Sequence, residues 1–257
     1  MSITDVQEEF SQIQDKLNSY LYRLTGSRED AEDLVHDTFI KISEKIDTFR
    51  GESGFKTWTF AVATNLAKDL KKVKSRWELN VQDLCKEATL VDKSLQDRIV
   101  NEFHNQEEKQ FEIIEHINYC FTCVAKNLTL EKQIAIILKE IYDFKRTEIA
   151  EILNVTEGVV KHLLHDGRNE LQEKYSYRCA MVNKQGVCYQ CAELNDFLQE
   201  KSDSAEKIAA LGLNEKNTAE TNLNIRFQLI NRINPLTGKG FKVEDTIMQI
   251  LRETLKE

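Results

Sequence analysis

Four of the six cysteines stand in two C-x-x-C pairs, a spacing that suits metal binding. The pairs are Cys120 with Cys123 and Cys188 with Cys191, and Cys179 lies near the second pair. Two such pairs can hold zinc in a tetrahedral cage of thiolates. The gap between the pairs is longer than in a compact zinc module, and Cys120 falls inside a helical period. Three interpretations therefore stay open: structural thiols, a zinc site and a redox switch.

Enzymatic chemistry built on these cysteines is a poor interpretation. The sequence contains no His-Glu pair at the H-E-x-x-H spacing of zinc hydrolases and no ligand set with an open position. We therefore predict a protein that is not an enzyme, has no catalytic residues and requires no cofactor, with zinc as an optional ligand.

A second set of residues combines aromatic rings with positive charge. Phe55, Trp58 and Phe60 are interleaved with cations, and the cations are Arg50, Lys56 and Lys68. A protein that holds a DNA strand apart needs a flat surface to stack an unpaired base and cations to follow the phosphates. The alternative is that Trp58 and Phe60 are core residues, since aromatics at helical spacing usually pack.

A third set is acidic and lies along a predicted helix. Ser27 can cap the start of this helix, with Asp30 three residues later. The apolar stripe of the helix consists of Ala31, Leu34, Val35, Phe39 and Ile42. Four carboxylates fall mostly off the stripe: Asp30, Glu32, Asp33 and Asp37. On periodicity alone, they form a solvated helix face.

A helix-turn-helix is predicted for the segment RTEIAEILNVTEGVVKHLLHDGRNELQEKY, residues 146–175. Small Ala150 permits a close helix crossing, and Asn154 tolerates the left-handed conformation that the turn requires. If the second helix enters a major groove, its outward residues read the DNA and Arg168 binds phosphate. The predicted readers are Thr156, Glu157, Lys161, His162 and His165. The alternative for the two histidines is exposure without a role.

These residues must be positioned by helices. A stripe of apolar residues predicts a helix over 5–25, and a further helix begins near Phe55 or Lys56. Its predicted buried stripe is Trp58, Ala61, Val62, Leu66, Leu70 and Val73. The tail has helical patterns at 204–211, 218–233 and 243–256. We predict an all-α fold with two small helical domains joined by a linker, plus a helical C-terminal extension.

Composition agrees with a soluble helical protein. Only one proline and nine glycines are present, and 30% of residues are charged. The net charge of −8 argues against nonspecific coating of nucleic acid, although it permits local basic patches. The N-terminal residues lack a signal-peptide pattern, and no apolar run is long enough for a bilayer. These features predict a cytoplasmic location without membrane insertion, where reduced thiols are expected.

The segments DAEDLVHDTFIKI and TFRGESGFKTWTFAVATNLAKDLKK resemble the second conserved region of bacterial RNA polymerase sigma factors of the extracytoplasmic-function group. Residues 128–175 resemble the fourth region, which reads the minus-thirty-five promoter element. The resemblance implies that the acidic helix contacts the polymerase through Asp30, Glu32, Asp33, Leu34 and Asp37. It implies promoter opening by Arg50, Phe55, Lys56, Trp58, Asn65, Lys68 and Lys72.

The resemblance also implies domains and partners. The second-region domain would occupy 1–75, the linker 76–111, the fourth-region domain 112–176 and a cysteine-bearing extension 177–257. The partners would be core RNA polymerase and promoter DNA, with an anti-sigma factor as a further candidate. The alternative function is a helix-turn-helix regulator that binds its operator without polymerase.

Overall fold

The computed structural model describes residues 3–49, 51, 53–70, 73, 75–78, 81–95, 97–98, 113–179, 182, 208–237 and 241–255. Within these residues every regular element is a helix, which confirms the predicted all-α fold. The helices are, in chain order, α1 (Ile3–Thr25), α2 (Arg28–Glu44), α3 (Phe55–Asp69), α4 (Val81–Val91), α5 (Ile113–Ala125), α6 (Leu130–Ile136), α7 (Arg146–Leu153), α8 (Glu157–Arg178), α9 (Ala219–Ile230) and α10 (Phe241–Leu255). A 3₁₀ turn at Ile46–Thr48 follows α2, and a π-helical turn at Ile137–Ile141 continues α6.

The junction between α1 and α2 follows from local sequence rules. Gly26 has a φ of 67°, a left-handed conformation that favours glycine, and its N–H donates to the carbonyl of Tyr22 at 2.7 Å. The Ser27 hydroxyl accepts a hydrogen bond from the Asp30 N–H at 3.3 Å, which confirms the predicted N-cap.

The chain divides into two compact units, each assembled from two separate stretches. The first joins Met1–Arg76 with Leu128–Gly167, and the second joins Trp77–Asn127 with Arg168–Glu257. Helix α8 contributes residues to both. The functional division into 1–75, 76–111, 112–176 and 177–257 stays a prediction.

The core of the first unit surrounds α3, which packs on α1, α2 and α7. The Tyr20 hydroxyl shares a hydrogen bond of 2.8 Å with Thr64, and the Phe60 ring lies 4.9 Å from the ring of Phe144. The predicted stripe is only partly confirmed: Val73, which follows α3, is buried, whereas the other five residues are half-buried, namely Trp58, Ala61, Val62, Leu66 and Leu70. The buried residues are Phe55, Thr57, Thr59, Phe60, Ala63, Thr64 and Ala67. A helix with three neighbours buries more than one stripe.

A polar network lies inside the same unit. The side chain of Arg23 is 1% exposed and donates a hydrogen bond of 2.7 Å to the Tyr142 hydroxyl. Ser19 shares a second hydrogen bond of 2.6 Å with this hydroxyl. The Gln133 side chain donates to the Arg23 carbonyl at 3.1 Å. The network therefore joins α1 to residues more than 100 positions later in the chain.

The second unit contains α4, α5, α9 and α10. Helix α9 packs on α5, and α10 packs on α4 and α5. Its apolar cluster consists of Trp77, Val81, Tyr119, Cys123, Met248, Ile250 and Leu251. The C-terminal helices therefore supply part of the core of this unit.

Candidate interaction surfaces

The acidic face of α2, defined as Asp30, Glu32, Asp33 and Asp37, is held outward by the buried stripe of the same helix. Glu32, Asp33 and Asp37 are exposed, and Asp30 is half-buried. Arg28 donates to Glu32 at 2.7 Å in an exposed ion pair, which partly balances one of the charges. A negative strip therefore faces solvent along about two turns of the helix.

Two apolar residues of α2, Leu34 and Ile40, differ in their exposure to solvent. Leu34 is 4% exposed and packs in the core, and its predicted contact with polymerase stays a prediction. Ile40 is 42% exposed and lies three residues after Asp37, beside the acidic face. Sequence reasoning missed Ile40, although its position off the apolar stripe could have indicated it.

An aromatic cluster of Phe49, Phe55 and Trp58 stands at the start of α3. The Phe49 and Trp58 rings lie 5.0 Å apart and are tilted by 34°, while Phe55 lies 6.0 Å from Trp58. Phe55 is buried and Trp58 is half-buried, so the tryptophan keeps part of its ring available for stacking. Phe49 was not predicted for this surface. Phe60 has no exposed surface and is a core residue, as the alternative interpretation held.

Among the polar residues predicted for promoter opening, Lys56 makes a contact within the first unit. The Lys56 ammonium lies 4.0 Å from the centroid of the Phe144 ring. Partial burial, followed by the nearby Lys16, lowers the pKa of Lys56 below its ordinary value. Asn65 is exposed and Lys68 is half-buried on α3. Arg50 and Lys72 lie outside the described residues.

The helix-turn-helix consists of α7, a short turn and α8, as predicted. Asn154 ends α7 with φ 55° and ψ 52°, the left-handed conformation expected for it. The Thr156 hydroxyl accepts a hydrogen bond of 3.4 Å from the Val159 N–H and so caps α8. The five predicted readers are all exposed: Thr156, Glu157, Lys161, His162 and His165.

Arg168, unlike those readers, contacts side chains of α9. Its guanidinium donates a hydrogen bond to the Asn224 side chain of α9 and lies 5.5 Å from the Phe227 ring centroid. Arg168 is therefore held against α9, and its phosphate contact stays a prediction. The five predicted readers are exposed, whereas Arg168 is half-buried.

The cysteines that the structure describes lie in the second unit. None of Cys120, Cys123 and Cys179 forms a disulfide. The Cys123 sulfur lies 3.5 Å from the sulfur of Met248, while Cys188 and Cys191 lie outside the described residues. In the described part of the chain, no three His, Cys, Asp or Glu side chains are grouped to hold a metal ion. A zinc site thus stays a prediction.

A buried polar pair stands beside these thiols. Arg226 donates a hydrogen bond of 3.2 Å to the Cys179 sulfur, and its guanidinium lies 4.4 Å from the centroid of the Tyr175 ring. Burial, followed by the nearby Cys120 thiol, raises the pKa of Tyr175 well above its ordinary value. The Tyr175 phenol is therefore neutral at physiological pH.

Comparison with known proteins identifies the family. Sigma-70 region 2 matches residues 10–77, and Sigma-70, region 4 matches residues 120–171. The ECF RNA polymerase sigma factor SigW of Bacillus subtilis is 30% identical over 164 residues, which cover 62% of this chain and 83% of that protein. The chain belongs to the ECF family of RNA polymerase sigma factors. The ECF sigma-E factor of Haemophilus influenzae is 31% identical, covering 64% of this chain and 84% of its own length.

Family membership establishes the function. The protein is a sigma factor, and it directs core RNA polymerase to promoter DNA for transcription initiation. Sigma factors are non-enzymatic factors of transcription initiation. The alternative of a stand-alone regulator is not favoured.

A solved structure is also similar to this sigma factor. It is the sigma factor RpoE in complex with the anti-sigma factor NepR from Bartonella quintana, with 20% sequence identity. The similarity covers 67% of this chain and 97% of that chain, with a TM-score of 0.45. Among the described helices of the sigma factor, none is both long and apolar enough to cross a bilayer.

Proposed function

We propose that this sigma factor binds core RNA polymerase through the acidic face of α2. The observation that carries the proposal is the outward position of the carboxylates of Glu32, Asp33 and Asp37. Their helix is fixed by a buried stripe, so the charges are presented at regular spacing without a folding transition. A preorganised negative strip favours a basic partner surface and speeds encounter with it.

We further propose that the start of α3 helps to open the promoter. The half-buried ring of Trp58, supported by Phe49 at 5.0 Å, offers a flat surface for an unstacked base. The exposed Asn65 and the cations of this segment would contact the separated strand. The Lys56 ammonium would have to leave the Phe144 ring to reach a phosphate.

We also propose that α8 recognises the upstream promoter element. Its exposed side chains include Lys161, His162 and His165, which can donate hydrogen bonds to base edges or phosphates. We propose that this chain has no catalytic residue and requires no cofactor. We also propose that it is located in the cytoplasm. An anti-sigma partner and a zinc site stay predictions.

The test of polymerase docking is charge reversal on α2. The double variant Asp33→Lys/Asp37→Lys should reduce co-purification of core polymerase by tenfold or more, because it places positive charge against a basic surface. The matched control is Glu8→Lys/Glu9→Lys, which reverses two exposed charges on α1. Equal core binding by both double variants would reject the acidic face as the docking surface.

A further inference from the structure

Gly158, in the first turn of α8, is a glycine that the fold of the protein does not require. A Cβ added there would meet only the Thr156 hydroxyl oxygen within 4 Å, at 3.7 Å, which is an ordinary contact. Gly167 on the same helix differs, because its Cβ would lie 3.0 Å from a side-chain carbon of Ile136. A glycine inside a helix lowers stability relative to alanine. Packing accounts for Gly167 and leaves Gly158 unexplained.

The surroundings of Gly158 indicate what approaches it. Val160 is fully buried and marks the inward side of α8. Gly158 lies two residues earlier, on the opposite side, and His162 follows it by one turn on the same face. Val159, beside them, is 43% exposed, so its methyl groups can be reached from solvent. The outward surface of this turn thus has a small residue, Gly158, and an apolar one, Val159, among exposed polar side chains: Thr156, Glu157, Lys161 and His162.

We propose that Gly158 and Val159 form the point of closest contact between α8 and the upstream promoter element, with Val159 packed against the methyl group of a thymine. This inference rests on the proposed role of α8 in promoter recognition. A missing side chain lets a helix backbone approach a base edge. Thymine is the base that presents a methyl group in the major groove, where an apolar side chain can distinguish it. The flanking Lys161 suits the phosphates of the same groove.

Gly158→Ala tests the close approach, because stability and binding should change in opposite directions. The variant should raise the Tm by about 1–3 °C, as expected for removal of a helical glycine. Holoenzyme carrying it should bind a promoter selected by the wild type about tenfold more weakly, because the new methyl group intrudes at the interface. Glu173→Ala, at an exposed position of α8, is the control and should leave promoter binding unchanged.

Deoxyuridine substitution tests the valine contact. Replacing the contacted thymine by deoxyuridine removes one methyl group and should weaken wild-type holoenzyme binding about fourfold at fixed salt. Val159→Ala should weaken binding to the thymine promoter and should be insensitive to the substitution, which is the signature of a coupled pair. Thymines outside the upstream element serve as controls, at which both proteins should respond equally.

The outcomes separate this inference from the proposed function. If wild-type holoenzyme binds equally well to a promoter with a scrambled upstream element, then promoter reading by α8 is wrong and so is this inference. If the wild type depends on the element but Gly158→Ala binds it with full affinity, only the inference is overturned. Retention of wild-type deoxyuridine sensitivity by Val159→Ala would overturn it as well.

Discussion

Asn154 controls the turn of the helix-turn-helix at the level of a single residue. It holds a left-handed conformation, which costs about 1–2 kcal/mol for a residue with an ordinary side chain. We predict that Asn154→Ala lowers the free energy of unfolding by about 1 kcal/mol, whereas Asn154→Gly leaves it unchanged or raises it. Denaturant unfolding measures both values, and equal loss from the two substitutions would contradict this account of the turn.

Residues governed by local rules were predictable from sequence. The Ser27 cap and the left-handed Asn154 depend on neighbours within three or four positions, and both are found as expected. The place of Phe49 in the aromatic cluster was not predictable, because Phe49 lies outside α3 and its ring meets Trp58 only in the folded protein. The ring beneath Lys56 belongs to Phe144, which is distant in sequence, so no local pattern indicates it.

Helix α10 is an element on which the second unit depends. Leu251 is fully buried in the cluster that contains Trp77. We predict that Leu251→Ala lowers the free energy of unfolding by about 2–5 kcal/mol, through lost burial and the cavity that is left. Since the sequence contains two tryptophans, a Trp58→Phe background isolates the emission of Trp77.

In that background, Leu251→Ala should shift the Trp77 emission to longer wavelength. The control is Leu90→Ala on α4, where the side chain is 64% exposed and truncation should have little effect. If Leu251→Ala had the same stability and the same Trp77 emission as the control, α10 would not support this core.

The phase of α3 shows why an element can be predicted while its buried face is not. The start of the helix near Phe55 was correct, and its apolar residues were assigned to a single stripe. Thr57, Thr59 and Thr64 are buried instead, since α3 contacts three other helices. A hydrophobicity pattern counts threonine as polar and assumes one buried side, so it misplaces a central helix.

At the scale of the whole molecule, the first unit combines residues of both sigma regions. Tyr142 lies in the later stretch, and its hydroxyl bonds to Ser19 and Arg23 of α1. We predict that Tyr142→Phe lowers the free energy of unfolding by about 1–3 kcal/mol, because the buried guanidinium loses an acceptor. Tyr177→Phe is the control, since that ring is 56% exposed. Equal unfolding curves would argue against this network.

The order of the two sigma regions along the chain was predictable, and their joining into one compact unit was not. Periodicity within Met1–Arg76 and within Leu128–Gly167 indicates the helices of each stretch. The hydrogen bonds that join the stretches, such as Arg76 to Gln133 and Ser19 to Tyr142, link residues from 52 to 123 positions apart, and local sequence patterns do not indicate such pairs. The contribution of α9 and α10 to the core of the second unit could not be predicted for the same reason.

Run-off transcription with purified core polymerase is the most direct test of the central claim, that this chain is a sigma factor acting through α2, α3 and α8. The chain added to core should produce discrete transcripts from a subset of genomic promoters, and core alone should not. Asp33→Lys/Asp37→Lys should abolish them, while Glu8→Lys/Glu9→Lys should preserve them. The account would be contradicted if no promoter-specific transcript formed while the chain alone bound a DNA operator tightly.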